Sequence, residues 1–214
     1  MVGRKSMRRR TNKSFKKQVF DTQPARHFTG EDSESSTHNT LLTVIPSQGI
    51  QQGSTNISRQ GDAIYICALK LKYNFQSNSA SNGYQWRILV GWTGEEITTA
   101  NVATAFVSGL AASEIFLPTT TSNWVANGIV NPKTFTCLYD QTIDINSQVT
   151  GASDLAGDST TIGINQAFDY QGSGSVMGKT KNLAIVVVGC VVGGVSGTTS
   201  VGNVVASWDL IYKS

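Results

Sequence analysis

Histidine is nearly missing from this chain. Of its 214 residues only His27 and His38 are histidines, and both fall in a polar segment that composition predicts to be disordered. A folded body without imidazole has no Ser-His or Cys-His pair and no histidine ligand for a metal, so no enzyme activity is expected. The acids Glu95, Glu96, Asp140, Asp144 and Asp169 are expected to be surface or turn acids. Cysteine is also scarce: Cys67, Cys137 and Cys190 are far apart and lack CxxC spacing. An odd count without that spacing argues against a disulfide framework and a zinc site, and buried free thiols are expected. No apolar run is long enough to cross a membrane; the longest, 183–192, is about half a span. The positive charge near residue 1 is not followed by the apolar run of a secretory signal.

Charge is present but unevenly placed. Residues 1–26 carry nine basic side chains (Arg4, Lys5, Arg8, Arg9, Arg10, Lys13, Lys16, Lys17 and Arg26) against the single acid Asp21, a net of +8. The other 188 residues carry 8 basic and 13 acidic side chains, a net of −5. Such asymmetry points to a polyanion-binding arm on an otherwise ordinary domain. Clustered Arg and Lys neutralise phosphates without reading sequence. Phe15 and Phe20 lie within or beside the cluster and are expected to be able to stack on unpaired bases. The same tract also suits nuclear localisation.

Residues 1–39 read as this disordered basic arm and linker, because their composition buries too little apolar surface to offset the entropy of ordering. Residues 40–214 read as the folded domain, opening with the apolar run 41–45. Period-two alternation then dominates. Over 62–75 the residues Tyr65, Cys67, Leu69, Leu71, Tyr73 and Phe75 would share one face; Lys70 and Lys72 lie on the other with Ile64, Ile66, Ala68 and Asn74. Trp86, Ile88, Val90 and Trp92 line one side of 85–93, and Phe135, Cys137, Tyr139, Ile143 and Ile145 one side of 133–145. Residues 183–192 suit a strand buried on both faces. Val204, Ala206, Trp208, Leu210 and Tyr212 line one side of 204–213. Thr98 or Thr99 caps one expected short helix that would carry Val102, Ala105 and Phe106. Gly-, Ser- and Thr-rich loops are expected at 147–161 and 171–180. The class is all-β, a two-sheet sandwich such as a jelly roll.

Two apparent nucleotide motifs fail. Gly178-Lys179-Thr180 ends like a P-loop, but Ser173 stands where that motif needs glycine. Gly172-Ser173-Gly174 and Gly178 miss GxGxxG by one residue. The candidate nucleic-acid-binding residues are therefore Arg4, Lys5, Arg8, Arg9, Arg10, Lys13, Lys16 and Lys17. Lys70 and Lys72 join them if their strand face looks into a particle; otherwise they are solvated lysines.

The turn Gly49-Ile-Gln-Gln-Gly-Ser-Thr-Asn-Ile-Ser-Arg59-Gln-Gly61-Asp62, and the strand after it, resemble the capsid proteins of satellite tobacco necrosis virus and its relatives. The resemblance continues through 84–92, the block Lys133-Thr-Phe-Thr-Cys-Leu-Tyr-Asp140, and Ala206-Ser-Trp-Asp-Leu-Ile-Tyr212. It spans roughly residues 41–213, and capsids of many small circular single-stranded DNA viruses share the architecture. The resemblance implies a single jelly roll of two antiparallel four-stranded sheets with a short helix in a loop. It further implies a closed homo-oligomeric shell of about 60 copies packaging single-stranded DNA or RNA, with no membrane partner. Such a chain would reside in the virion and, during assembly, in the host nucleus. Some relatives hold calcium between subunits through acids, one beside the C-terminus. Here Tyr212 is followed only by Lys213 and Ser214, so no cofactor is expected and no calcium ligand is named. Two other readings compete: a non-assembling, OB-like nucleic-acid-binding β-barrel with a basic tail, and a lectin-like sandwich. The first calls for a basic groove on the folded domain, whose net charge is acidic; the second leaves the arm unexplained.

Overall fold

The computed structural model describes residues 20–55, 57–77, 83–94, 104–108, 112–117, 125–146, 155–172, 174–192 and 199–214. Among them are nine strands: β1 (Arg26–Thr37), β2 (Leu41–Val44), β3 (Ala63–Ser77), β4 (Gly83–Thr93), β5 (Val107–Ser108), β6 (Phe135–Asn146), β7 (Leu155–Asp169), β8 (Asn182–Val191) and β9 (Ser200–Lys213). They form a four-stranded sheet in the order β1-β9-β3-β7 and a five-stranded sheet in the order β5-β2-β8-β4-β6. Every pairing is antiparallel. Without the two-residue β5, the orders 1-9-3-7 and 2-8-4-6 are those of an eight-stranded jelly roll of interleaved Greek keys. The five-stranded barrel of an OB-fold has a different layout, which removes that alternative on topology.

The alternating apolar faces meet between the sheets. Leu69, Leu71, Tyr73 and Phe75 of β3, Trp86, Ile88, Val90 and Trp92 of β4, and Val204, Ala206, Trp208 and Leu210 of β9 form one cluster. Phe75 and Trp86 stack at 4.8 Å across it. Trp86, Trp92 and Trp208 are buried as their strand phase predicts.

Four expectations about the strands need correction. The folded domain begins well before residue 40: β1 pairs with β9 from Arg26 to Thr37. An edge strand needs only one backbone ladder, and charged side chains along it discourage pairing with other chains. That is why Glu31, Asp32 and Glu34, which read as disorder, sit in a strand. The region 147–161 is likewise not all loop, since Leu155–Asp169 is the opposite edge strand; residues 147–154 lie outside the description. The alternation in 62–75 is broken by a bulge between Ile66 and Ala68. Ile64 and Ile66 therefore join Leu69 and Leu71 in the core, while Cys67 is displaced. A second bulge, between Cys137 and Tyr139, turns Phe135 to the outer side of the five-stranded sheet, away from Tyr139, Ile143 and Ile145. A bulge inserts one residue and exchanges the faces beyond it.

The expected helix lies mostly outside the described residues. Phe106 is buried but not helical, and its amide donates to Asp32 Oδ2 (2.5 Å). A helical turn occurs instead at Ala112–Ile115.

Candidate nucleic-acid interface

The two outer faces of the sandwich differ. On the five-stranded sheet, Ala184, Val186, Val188 and Cys190 of β8 point away from the main core and are covered by Ile115, Phe116 and Ala126. This roof is pinned from below by Arg87. Its Nε and Nη2 donate to the two Asp140 oxygens (2.8 and 2.6 Å), and Nη1 donates to the carbonyls of Ala126 (2.9 Å) and Gly128 (2.6 Å). Asp140 is thus a structural partner. Asp144 accepts from Gln85 Nε2 (2.9 Å).

The outer face of the four-stranded sheet carries no such roof among the described residues. Strand register writes its rows directly. One row is Thr29–Asp209–Lys70–Thr161 and the next is Glu31–Ser207–Lys72–Ser159, across β1, β9, β3 and β7. These rows line a shallow depression of ≈ 670 Å³. Short hydroxyl side chains on the flanking strands leave the lysines raised and exposed, so Lys70 and Lys72 lie on the solvent side as the alternation predicts. Lys70 Nζ is 3.8 Å from Asp209 Oδ2. Lys72 has no ion-pair partner among the described residues.

The basic segment joins the body on this same face. Arg4, Lys5, Arg8, Arg9, Arg10, Lys13, Lys16 and Lys17 lie outside the described residues, as does Phe15. The described chain begins at Phe20, which is buried with its ring 6.2 Å from that of Tyr65. Tyr65 is opposite Lys213 in register, and Lys213 Nζ donates to the Asp21 carbonyl (3.4 Å). Burial raises the Cys67 thiol above its usual range, Lys213 offsets part of that, and Asp21 adds to it. Phe20, Asp21, Tyr65, Cys67 and Lys213 are therefore neighbours on the outer side of the β3–β9 pair. Phe20 is thus a seated anchor, contrary to the expectation that it is free to stack on bases. Arg26 is also engaged: its Nη1 donates to the carbonyls of Ser58 and Thr55.

Both histidines belong to the folded domain, correcting their assignment to the arm. His38 is buried, and its Nδ1 accepts the Val191 amide (3.0 Å). His27 stands on the outer face with Nδ1 2.9 and 3.0 Å from the two Asp209 oxygens. Composition offered no signal for this pairing, because its partners are 182 positions apart. The cysteines are free, but only Cys190 is buried; Cys67 is half-buried and Cys137 exposed. Burial raises the Cys137 and Cys190 thiols as well, which disfavours the thiolate. Among the described residues no three His, Cys, Asp or Glu side chains gather in a metal-binding group.

Arg59, which opens the stretch Arg59-Gln-Gly61-Asp62, is a buried clasp. Its Nη2 donates to the carbonyls of Ser175 (2.6 Å) and Gly172 (3.3 Å), and the guanidinium lies 3.9 Å from the centre of the Tyr170 ring. Nearby, the Gly178 amide donates to Asn182 Oδ1 (2.9 Å) and that of Lys179 to the Asp169 carbonyl (2.8 Å). These amides are spent within the chain and do not form a phosphate cradle.

No protein-family model and no curated protein matches the chain. Among solved structures, it is similar to the infectious bursal disease virus VP2 subviral particle over 88% of its length, at 10% identity and a TM-score of 0.31. The chain spans only 37% of that chain. The fold assignment rests on the strand order, not on this likeness.

Proposed function

We propose that this chain is a viral capsid protein: about 60 copies assemble into a closed shell, and its basic segment holds a single-stranded genome. The observation that carries the reading is the shared face. Phe20 and Asp21 seat the end of the basic segment on the outer side of the β1-β9-β3-β7 sheet, where Lys70 and Lys72 also stand. The opposite outer side is roofed. A shell subunit needs one surface turned to the genome and another turned away, and the two faces suit these tasks. No catalytic role and no cofactor is part of the proposal. The likeness in residue pattern to satellite tobacco necrosis virus capsids, also an architecture of small single-stranded DNA virus capsids, agrees with this reading. The virion, and the host nucleus during assembly, are its proposed locations.

Eight cations in residues 1–19 bring roughly 480 positive charges into a shell of about 60 copies. Contacts of this kind are sequence-tolerant, because phosphates carry no base information. Size-exclusion chromatography and electron microscopy of the purified full chain test the reading. Closed, megadalton-scale particles are expected, and only monomers or dimers across a range of salt and pH would overturn it. Replacing Arg8, Arg9 and Arg10 together by Ala should flatten the salt dependence of single-strand binding by about 2 in slope, from about 0.7 per phosphate contact. Nuclease sensitivity of the packaged nucleic acid distinguishes DNA from RNA.

A further inference from the structure

The charge of the lysine-bearing face is not set by lysines alone. We propose that His27, Asp209 and Lys70 form a proton-gated phosphate-binding row, resting on the reading above that this face meets the genome. Asp209 lies between the two bases: its carboxylate receives His27 Nδ1 at 2.9 and 3.0 Å and has Lys70 Nζ at 3.8 Å. A carboxylate only accepts, so His27 Nδ1 carries a proton in either charge state, and the proton that comes and goes is on Nε2. The exchange needs no rearrangement, since the His27 side chain is 52% exposed and Asp209 22%.

With His27 neutral, Asp209 cancels the charge of Lys70 and the row is neutral. With His27 protonated, the nearer imidazolium becomes the partner of Asp209. The row then carries +1, and the Lys70 ammonium, 56% exposed, is released toward a phosphate oxygen. Histidine is the side chain whose charge normally changes between about pH 5 and 8, so the row works as a switch where the lysines and arginines cannot.

The surrounding charges are accounted for. On β1 these are Glu31 and Arg26, the latter held by the Ser58 and Thr55 carbonyls. On β9 there is Lys213, held by the Asp21 carbonyl, with Asp21 beside it at the base of the arm. On β3 there is Lys72, while the facing β7 positions Ser159 and Thr161 are uncharged. Residues 1–19 contain neither histidine nor acid. The only other histidine, His38, is buried with Nδ1 occupied by a backbone amide.

The test is binding of a single-stranded oligothymidylate by the unassembled full chain, titrated with salt at about pH 5.5 and about pH 8. The wild-type salt slope should be steeper by about 0.7 at the lower pH, one more phosphate contact per subunit. His27→Gln, which can still donate to Asp209 but cannot take up charge, should lose that difference. Asp209→Asn should bring the steeper slope to the higher pH. A His27→Gln protein that keeps the full pH difference overturns the proposal, as does a wild type that binds at both values with one slope. A protein that binds no oligothymidylate at either pH overturns the genome-facing reading itself.

Discussion

The outer faces of the two sheets show how one sandwich serves two ends. Both sheets bury their inner faces, as any two-layer fold must. Beyond that they diverge. β8 carries Ala184, Val186, Val188 and Cys190 outward, and the chain covers them with the helical turn at 112–115 and the segment around Ala126, held by Arg87. β3 and β9 carry Lys70, Lys72, Ser207 and Asp209 outward, and these stay accessible. An apolar outer row must be removed from water, at roughly 25 cal/mol per Å²; a hydroxyl and charged row is already satisfied by water. The roofed face adds stability, whereas the open face leaves its side chains to solvent, where the proposed binding would take place. Loss of stability and loss of binding should therefore separate by face.

The largest effect is expected from removing the edge strand. A chain starting at Phe20 retains β1 and should melt cooperatively with β-type circular dichroism. A chain starting at Thr40 lacks β1 and strips one side of β9, leaving Trp208 and the β9 backbone partly uncovered. It should lose the cooperative melt. Equal melting of the two chains would show that β1 is not part of the folding unit.

Substitutions inside the sandwich come next. Trp86→Ala removes a fully buried ring stacked on Phe75 and should cost about 3–5 kcal/mol in urea unfolding. Arg87→Ala leaves the roof carbonyls and Asp140 without their donor and should cost about 3 kcal/mol. A neutral Arg87→Ala would mean that the roof is not coupled to the sheet beneath it.

The smallest stability effect belongs to the open face. Lys70→Ala with Lys72→Ala should change stability by no more than about 0.5 kcal/mol, yet reduce the salt slope of single-strand binding by about 1.4 at about pH 5.5, where Lys70 is released from Asp209, and by about 0.7 at about pH 8. Destabilisation as large as that of Arg87→Ala, or an unchanged slope, would erase the functional distinction between the faces.

Much of this was legible in the residue pattern. Period-two alternation exposed β3, β4, β6 and β9, and the unbroken β-branched run exposed β8, because strands buried on one or both faces must carry that imprint. The burial of the three core tryptophans and the solvent side of Lys70 and Lys72 follow from the same phase. The charge partition between residues 1–26 and the remainder is a property of composition alone.

Other features were decided only in three dimensions. β1 and β7 are edge strands held by backbone ladders to β9 and β3, and backbone hydrogen bonding leaves little mark on side-chain order. Apolar residues in both phases around Cys67, among them Ile64, Tyr65 and Ile66, mask the bulge that exchanges faces there. Phe20 reads as a loose aromatic in the sequence, and only the fold brings Tyr65 to within 6.2 Å of its ring. His27, Asp209 and Lys70 come from three strands that are neighbours in the sheet but far apart along the chain. The alternation could assign Lys70 to an outer face, but only the register of β1 on β9 and of β9 on β3 could set a histidine and a carboxylate beside it.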